Sequence, residues 1–365
     1  MKKQKNILVC PLDWGLGHAS RMVPIIEILI DKGANVIIGA DNGPLEFLKQ
    51  RFENCEFIKF SGFVPKYPKG NAMAMKMALQ FPQMKKQAKK SNDLLQKIII
   101  EKDIDIVISD NRYELSSPKV YSVLVTHQLN IHTIGLQKLF APFIKSQLRS
   151  YIKKYDELWI PDFESSPFLS GDLSHGTTMP IDNYSFIGPL SRFTGIENSI
   201  INKKYDIMVI LSGPEPQRSI FEKILEQQFL ETDLKVVFLL GKPEEKNIEI
   251  IDNIEKIPHL SDVEFARTIM SSELIISRPG YSTIMDLAVF GSNAIFVPTP
   301  GQTEQEYLAK TLEKQGSYYF QEQSELDILS AIKKSKEYQG IKLNNNYEVL
   351  NERINYLLNN LSSTK

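Results

Sequence analysis

Cysteine is scarce in this sequence: Cys10 and Cys55 are the two cysteines among 365 residues. Two thiols are too few for the disulfide framework of a small secreted domain, and they give no zinc-binding spacing. Both lie in apolar, strand-like segments, which predicts inert thiols in a hydrophobic core. These absences exclude a disulfide scaffold and a cysteine-based metal site.

Long hydrophobic runs are also lacking. A membrane-spanning helix needs about 20 predominantly apolar residues, and no run approaches that length. Asp13 ends the first apolar run after Leu12, which leaves it too short for a secretory leader. We therefore expect a cytoplasmic protein, with peripheral contact at the inner face of the membrane as an open alternative.

The chain as a whole lacks an excess of charge of either sign, since it has 43 basic and 44 acidic residues. Residues 1–165, however, hold 24 basic and 17 acidic residues, whereas residues 166–365 hold 19 and 27. This asymmetry predicts two domains with different partners. The lack of overall basicity and of any reading motif argues against nucleic acid as a partner.

The composition, 42% hydrophobic and 24% charged, is that of a globular protein, and the length suggests two domains. Apolar strand-like runs alternate with amphipathic helical stretches, and the pattern restarts near residue 206. The predicted fold is therefore α/β, with two doubly wound, Rossmann-like domains facing a cleft. The predicted ranges are an N-terminal domain at 1–187, a linker at 188–205, a C-terminal domain at 206–344, and a final helix at 345–365 that packs back on the N-terminal domain.

A glycine-containing loop follows the first predicted strand. Gly15 and Gly17 allow the backbone close to a ligand, and the next helix offers free N–H groups and a positive dipole end. His18 at the start of that helix is a candidate general base, because a positive dipole end lowers the pKa of an imidazole. Asp13 is a second catalytic candidate that would orient His18 or assist it. The alternative is a tight turn at the glycines with His18 as a cap.

A dinucleotide site competes for the same loop. Gly15 and Gly17 follow a strand, and Asp41 ends the second strand 24 residues after Gly17, near the spacing of a ribose-binding carboxylate. Ser20 replaces the third glycine of that fingerprint, and residues 11–14 lengthen the loop beyond a compact phosphate turn. We therefore do not favour a nicotinamide-dependent oxidoreductase.

A second candidate segment lies at 275–286, where a buried strand leads through Gly280 into a helix. Ser282 and Thr283 place hydroxyls at the helix start, where bare N–H groups suit a diphosphate. Asp286, one turn later, could accept two hydrogen bonds from a ribose diol. The alternative is ordinary helix capping by Ser282 or Thr283.

Three motifs together resemble those of GT-B glycosyltransferases of family 28. They are Gly-x-Gly-His in the first loop, Ser-Arg-x-Gly-x-Ser-Thr-x-x-Asp at 277–286 and Pro-x-Pro-Gly-Gln-x-x-Gln at 298–305. The resemblance implies a UDP-sugar donor held by the C-terminal domain and an acceptor bound mainly by the N-terminal domain. The family's type member transfers N-acetylglucosamine to the lipid-linked peptidoglycan precursor.

The resemblance also implies roles for individual residues. Gly15 and Gly17 are assigned to the donor site with the first loop, and Arg192 matches an arginine at the domain junction. Ser212 and Gly213 match the glycine-rich turn after the second domain's first strand. Further residues match contacts to the nucleotide or the donor sugar: Gly280, Tyr281, Ser282, Thr283, Asp286, Gln305 and Glu306.

Three positions depart from the family pattern: Asp286 stands for a glutamate, Glu306 for a glutamine and Ala309 for an asparagine. The N-terminal domain matches poorly after the first loop, which indicates an acceptor other than the peptidoglycan precursor. Polar side chains at the ends of strands four and five are acceptor-binding candidates, unless the backbone satisfies them. They are Asp110, Asn111, Arg112, His127 and Gln128. We interpret His132 and His175 as structural or surface residues.

We expect no metal and no other cofactor. Asp103 and Asp105 formally match the Asp-x-Asp of metal-dependent sugar transferases, but they precede strand four, at the wrong end of the sheet for a site. Two basic segments with apolar neighbours could lie on an anionic membrane or could simply be solvated helix faces. Their basic residues are Lys76, Lys85, Lys86, Lys89, Lys90 and Lys97, then Lys138, Lys145, Arg149, Lys153 and Lys154.

The favoured function is metal-independent transfer of a sugar from UDP to a hydroxyl of a glycan or lipid-linked acceptor, in cell-envelope glycan synthesis. A UDP-sugar hydrolase of the same fold remains an alternative, because its loop also reads Gly-x-Gly-His followed by arginine. A non-catalytic nucleotide-sugar-binding protein is the second alternative. The donor sugar, the acceptor, the anomeric outcome and the oligomeric state stay open.

Overall fold

The computed structural model describes residues 4–13, 15–62, 73–130, 141–196, 202–213, 215–242, 245–342 and 347–361, with the side chains of helix 73–101 from residue 82 onward. The chain divides into two compact units. Unit 1 comprises Met1–Leu190 and Asn346–Lys365, and unit 2 comprises Ser191–Asn345.

Seven strands form a parallel sheet in the described part of unit 1, in the order β3-β2-β1-β4-β5-β6-β7. The direction of strand addition reverses between β1 and β4, and ligands of such sheets bind beyond the carboxyl ends of the strands at this reversal. The strands are β1 (Asn6–Cys10), β2 (Asn35–Ala40), β3 (Glu56–Lys59), β4 (Ile106–Asp110), β5 (Tyr121–Val125), β6 (Glu157–Ile160) and β7 (Tyr184–Phe186).

Helices cover this sheet with apolar residues at helical spacing. Leu95, Ile98 and Ile99 of one helix pack on Leu8 and Val107 of the strands. Burying such side chains contributes about 1.5–3 kcal/mol each. The helices of unit 1 are α1 (Leu16–Asp31), α2 (Asn42–Arg51), α3 (Met73–Glu101), α4 (Ala141–Ile152) and α10 (Glu348–Asn360).

The last helix returns to the first unit. Leu350, Ile354 and Leu357 of α10 are fully buried, and α10 packs against α1. Arg353 on the same helix donates from Nε to Oε1 of Glu157 at 2.6 Å, and Glu157 is itself inaccessible to solvent. Apolar burial and a charged anchor therefore attach this segment to unit 1.

One connection in unit 1 departs from the usual pattern. Parallel neighbours β4 and β5 are normally joined through a helix, but residues 111–120, all of which the structure describes, contain turns and no helix. Leu115 and Val120 of this connection join the apolar cluster under α3. The helix layer is therefore thinner between α3 and α4.

The described part of unit 2 holds a second seven-stranded sheet, in the order β10-β11-β9-β8-β12-β13-β14, antiparallel at β10–β11 and parallel elsewhere. Here the reversal lies between β8 and β12. The strands are β8 (Tyr205–Ile210), β9 (Val236–Leu239), β10 (Glu249–Ile251), β11 (Ile254–Ile257), β12 (Ser272–Ser277), β13 (Ala294–Phe296) and β14 (Tyr319–Phe320). The helices are α5 (Gln217–Phe229), α6 (Asp262–Met270), α7 (Tyr281–Phe290), α8 (Thr303–Lys314) and α9 (Ile328–Ser335).

The two α/β sheets confirm the predicted fold class. A capping box begins α6, in which Ser261 and Glu264 exchange side-chain and backbone hydrogen bonds. The long helix α3 continues through Pro82 without a break. The short strands β7, β10, β11 and β14 were not predicted, since pairings of two to four residues carry little periodic signal.

Candidate active site

The loop after β1 places His18 in the first turn of α1. Gly15 precedes the helix with a φ of 80°, a left-handed value that glycine adopts without strain, and no side chain caps the helix. The His18 side chain is 18% exposed, and its Nδ1 lies 2.9 Å from Oδ2 of Asp110. Asp110 ends β4, the strand beside β1, so the sheet order brings the pair together. With Nδ1 protonated toward Asp110, Nε2 is the basic nitrogen.

Asp110 is fully buried and contacts both Arg21 and His18. Arg21 Nε donates to both carboxylate oxygens at 3.0 Å, and a terminal nitrogen of Arg21 also donates to Oδ1. Burial alone would raise the pKa of Asp110, but Arg21 and His18 hold it below its usual range. Asp110 is therefore placed to orient His18, and its lack of accessible surface does not support the predicted contact with an acceptor.

Arg21 is a site residue that sequence reasoning missed. It follows His18 by three positions in α1, which puts both side chains on one face of the helix, and that spacing was the available signal. The same guanidinium lies 3.3 Å from Nδ1 of His127, which is 2% exposed. His127 therefore belongs to this buried cluster rather than to an acceptor surface, as its burial shows.

Asp13 braces loops instead of orienting the histidine. Its Oδ2 accepts from the backbone N–H of Gly62 at 2.6 Å, and its Oδ1 accepts from that of Asp41 at 3.2 Å. Burial raises the pKa of Asp13. The carboxylate in contact with His18 is that of Asp110, which corrects the predicted role of Asp13.

The predicted acceptor-binding residues that follow β4 and β5 differ in how deeply they are buried. Arg112 is fully buried, donates to the carbonyl of Phe60 at 2.8 Å and stacks 4.5 Å from the Phe60 ring centre, which does not support its predicted acceptor role. Asn111 has a φ of 52°, and its Oδ1 is buried without a hydrogen-bond partner among the described groups. Gln128 keeps a partly exposed side chain. Asn111 and Gln128 thus remain acceptor candidates.

In unit 2, α7 begins with an open N-terminus. The N-cap is Gly280, and no side-chain hydrogen bond caps this end. Ser282 and Thr283 lie in the first turn with partly exposed side chains, and neither is the N-cap, so the alternative of helix capping by them does not hold. Tyr281 is 4% exposed. The first-turn N–H groups and the positive dipole end favour an anion here.

Asp286 lies one turn further along α7. Ser191 Oγ donates to its Oδ1 at 2.6 Å. Burial raises the pKa of Asp286 to about 6, although Arg192 and Ser191 act in the opposite direction. Arg192 itself pairs with Asp262, with Nε and Oδ1 3.2 Å apart, and stacks near Phe193. The predicted ribose residue and Arg192 thus lie in one cluster of unit 2.

The ends of β8 and β13 supply the neighbouring loops. Ser212 and Gly213 follow β8, the strand beside β12, and Gly213 has a φ of 95° with open space where a side chain would begin. Gln305 Oε1 accepts from the backbone N–H of Thr299 at 2.8 Å, and Glu306 Oε1 accepts from that of Gly301 at 2.9 Å. The structure shows Gln305 and Glu306 bracing the loop after β13.

Arg278, part of the motif but without a predicted role, holds these strand ends together. It is 1% exposed and donates to the carbonyls of Val297 and Pro298 at 2.8 and 3.0 Å. Its guanidinium lies 4.0 Å from the Phe221 ring centre, and burial lowers its pKa to about 10. Because Arg278 spans β12 and β13, it sets the position at which α7 begins.

The residues set aside in the sequence have structural contacts. His175 stacks on Phe168 with ring centres 3.9 Å apart and contacts Asp162, which confirms its structural role, whereas His132 lies outside the described residues. Asp105 accepts from the backbone of Asn6 at 2.8 Å at the amino end of β4. Burial raises the pKa of the Cys10 thiol to about 12, as expected of an inert core cysteine. The same prediction is wrong for Cys55, which is only partly buried and lies in a bend before β3.

The Asp41 carboxylate, which a dinucleotide would require, accepts from the backbone of Asn42 at 2.9 Å and from the Ser61 hydroxyl. Among the described residues, no three His, Cys, Asp or Glu side chains form a metal-binding group. In the same part of the chain, every helix is too short or too polar to span a bilayer.

Comparison with known proteins finds a family match for the C-terminal part of the chain. Residues 207–352 match the glycosyltransferase family 28 C-terminal domain. An uncharacterised glycosyltransferase of Methanosarcina acetivorans is 26% identical over 322 residues, which are 83% of this chain and 80% of that protein. The UDP-N-acetylglucosamine–N-acetylmuramyl-(pentapeptide) pyrophosphoryl-undecaprenol N-acetylglucosamine transferase of Caldicellulosiruptor saccharolyticus is 32% identical over 103 residues, covering 25% of this chain and 27% of that one.

The fold has matches along the whole chain. The crystal structure of the kitacinnamycin glycosyltransferase superposes with a TM-score of 0.63 at 12% identity, covering 97% of this chain and 94% of the other. The matched C-terminal domain, the glycosyltransferase relatives and this fold agree with the motifs at 277–286 and 298–305. The chain is therefore a divergent, family 28-like glycosyltransferase of the GT-B fold.

Proposed function

We propose that this glycosyltransferase takes its sugar from a UDP-sugar, without a metal, and passes it to a hydroxyl of a glycan or lipid-linked acceptor. The observation that carries the proposal is the open N-terminus of α7, with Gly280 as an uncapped start and Asp286 one turn later. The printed name of the Caldicellulosiruptor relative includes a UDP-sugar and a lipid-linked acceptor, which supports the same substrate classes here.

On the donor side, the N–H groups of the first turn of α7 would receive the diphosphate. Negative charge grows on the leaving UDP as the glycosidic bond breaks, and fixed N–H dipoles stabilise such charge without reorganisation. Asp286, in its ionised form, would accept hydrogen bonds from the ribose hydroxyls. Arg278 would contribute indirectly by fixing the loop from which α7 starts.

On the acceptor side, His18 would remove the proton of the attacking hydroxyl through Nε2. Asp110 would hold the tautomer with the proton on Nδ1 and would stabilise the imidazolium once it forms, as in other carboxylate–histidine pairs. Arg21 keeps Asp110 ionised, so that Asp110 accepts rather than donates the hydrogen bond. The polar candidates for contacts with the acceptor are Gln128, which is partly exposed, and Asn111, whose buried Oδ1 has no hydrogen-bond partner among the described groups.

The direct test is product analysis of the full chain with a panel of UDP-sugars, with and without glycan or polyprenyl-phosphate acceptors. Transfer predicts UDP release that depends on an acceptor and a new glycoside in the products. Acceptor-independent UDP release would identify a hydrolase instead, and UDP binding without turnover would identify a binding protein. Stabilisation by NADH but not by UDP in a thermal-shift panel would contradict the proposal.

Cellular location is part of the proposal. A nucleotide sugar is a cytoplasmic substrate, so we propose a cytoplasmic enzyme that meets a lipid-linked acceptor at the inner face of the membrane. Lys145 and Arg149 on α4, next to the 56%-exposed Phe143, are compatible with such a contact. Co-sedimentation with anionic vesicles at low salt tests this point, and an unbound protein would contradict it.

A further inference from the structure

Unit 1 contains a groove that the proposed function does not use. It lies beside the helix-free connection between β4 and β5 and has a volume of about 650 Å³, within the roughly 300–1,000 Å³ of small-molecule sites. One wall of the groove is lined by Lys85, Ala88 and Lys89 of α3, and Glu114 of the connection also lines it. Tyr151 at the end of α4 and Lys154 just after that helix line the other side. We call this feature the lysine groove.

The groove is a consequence of the topology. A crossover helix between β4 and β5 would normally fill the space between α3 and α4 on this face of the sheet. Residues 111–120 contain no helix, and this connection lines the groove with Tyr113, Glu114, Ser116, Ser117 and Pro118. A concave surface is therefore left where the helix layer would otherwise be continuous.

The charged residues that line the groove are mostly basic. Three lysines line it against a single carboxylate, Glu114, whose Oε1 already accepts from Arg112 Nε at 3.2 Å. The amide of Asn92 is used as well, since it donates to the carbonyls of Glu114 and Ser116 at 2.7 and 2.9 Å. The ammonium groups are thus the charged donors that face the cavity, and a concave wall concentrates their positive potential.

The residues that line the lysine groove do not include His18, Asp110 or Arg21 of the candidate active site. His18 and Asp110 lie at the carboxyl ends of β1 and β4, where ligands of such sheets bind. Tyr151 and Lys154 come at the end of α4, immediately before β6 begins at Glu157, and therefore near the amino ends of the strands.

We propose that the lysine groove binds the phosphate group of a small phosphomonoester or of an anionic lipid headgroup. Lysine ammonium groups bind phosphate as compact point charges without a fixed geometry, which suits three long side chains around one cavity. Lys154 Nζ lies 5.0 Å from the ring centre of Tyr151, so the ring forms an apolar wall beside the charge for the carbon skeleton of the ligand.

The test uses the full chain and two matched double variants. Lys89→Gln with Lys154→Gln removes two charges from the groove, whereas Lys90→Gln with Lys153→Gln removes two charges from exposed neighbours that do not line it. Glycerol 3-phosphate is titrated by calorimetry at low salt. Flotation with phosphatidylglycerol and phosphatidylcholine vesicles is measured in parallel, and melting temperatures verify that each variant is folded.

We expect the groove variant to weaken glycerol 3-phosphate binding about tenfold or more and the neighbour variant to leave it within about twofold. The same pattern with phosphatidylglycerol vesicles alone would identify the lipid headgroup as the source of the phosphate. A third variant, Ala88→Phe, fills the cavity without changing charge and should also reduce binding. Equal weakening by both double variants, or no binding to either probe, would overturn the proposal.

Discussion

At the level of single residues, the proposed chemistry depends on how a histidine and two carboxylates are held. His18 lies at the carboxyl end of the sheet against Asp110, and Asp110 is kept ionised by Arg21. Asp286 in the other unit is in the opposite situation, because burial raises its pKa to about 6. The two carboxylates therefore respond differently to pH.

Replacing His18 tests the proposed base. His18→Gln should lower kcat by about 10²–10⁴, the usual contribution of a positioned general base. UDP affinity should not change, because the proposed nucleotide contacts belong to unit 2. Turnover and UDP titration measure the two effects separately, with His259→Gln as a control at an exposed histidine. An unchanged kcat would eliminate His18 as the base.

The raised pKa of Asp286 predicts pH-dependent nucleoside binding. Above pH 6 the ionised carboxylate can accept two hydroxyl hydrogen bonds, so uridine affinity should increase by about 3–10-fold between pH 5 and pH 7.5. Uridine is used because a diphosphate titrates in the same range. Calorimetry on the wild type and on Asp286→Asn provides the measurement, and the variant should show a flat profile.

The raised pKa of Asp286 also makes the stability of the fold depend on pH, and in the direction opposite to that of uridine affinity. The folded-state pKa of about 6 lies above the ordinary value of 3.8, so Asp286 stabilises the fold below pH 4, and this contribution is lost as pH rises through 6. The free energy of unfolding of Asp286→Asn, relative to that of the wild type, should therefore increase by about 1–3 kcal/mol between pH 4 and pH 8. Urea unfolding at both pH values measures the difference, and an equal difference at both would contradict the raised pKa.

At the level of secondary-structure elements, the start of α7 combines a structural weakness with a proposed use. A glycine N-cap provides no side-chain hydrogen bond to the N–H groups of the first turn, a bond that Ser, Thr, Asp or Asn would supply. Gly280 has a φ of −70° and a ψ of 139°, values that these residues also adopt at an N-cap. The N-cap of α7 is therefore less stabilising than it could be, at the position where the diphosphate is proposed to bind.

Substituting this cap should separate stability from binding. Gly280→Asp should preserve stability or raise it by a few tenths of a kcal/mol, while its charge at the helix start should weaken UDP binding at least about tenfold. Gly280→Asn provides the same cap without the charge and should weaken binding less. Thermal unfolding and UDP titration give the two readouts. Undiminished UDP affinity in Gly280→Asp would show that the diphosphate binds elsewhere.

At the level of the whole molecule, the C-terminal helix α10 belongs to unit 1, although unit 2 precedes it in the sequence. The Arg353–Glu157 pair anchors this helix, and Glu157 also accepts hydrogen bonds from Tyr121 and Trp159. The C-terminal segment therefore contributes to the stability of unit 1, although it is far from β6 in sequence.

Removing the anchor should destabilise unit 1. Arg353→Ala should cost about 2 kcal/mol, less than the roughly 3–5 kcal/mol of a fully buried pair, because Tyr121 and Trp159 still donate to Glu157. Chemical unfolding followed by tryptophan fluorescence reports on this region through Trp159. Glu352→Ala, at an exposed neighbouring position, should change stability by less than about 0.5 kcal/mol. Equal losses for both variants would contradict a specific role for the pair.

The sequence by itself determined the regular elements, because helical and strand periodicity and helix-start signals are local. β1 (Asn6–Cys10), β2 (Asn35–Ala40) and the capping box at Ser261 follow directly from neighbouring residues. The motif at 277–286 likewise indicated the family, since its residues are contiguous.

Only the tertiary structure decided which polar residues meet. Asp110 and His18 are 92 positions apart and are joined because β4 pairs with β1, whereas Asp13, five positions from His18, turns to the backbone of Gly62 and Asp41. Burial, which assigned Arg112 and Arg278 to bracing roles, is a sum over contacts from many strands and loops. No local pattern encodes that sum, so the catalytic partner of His18 and the lysine groove emerged from the packed fold.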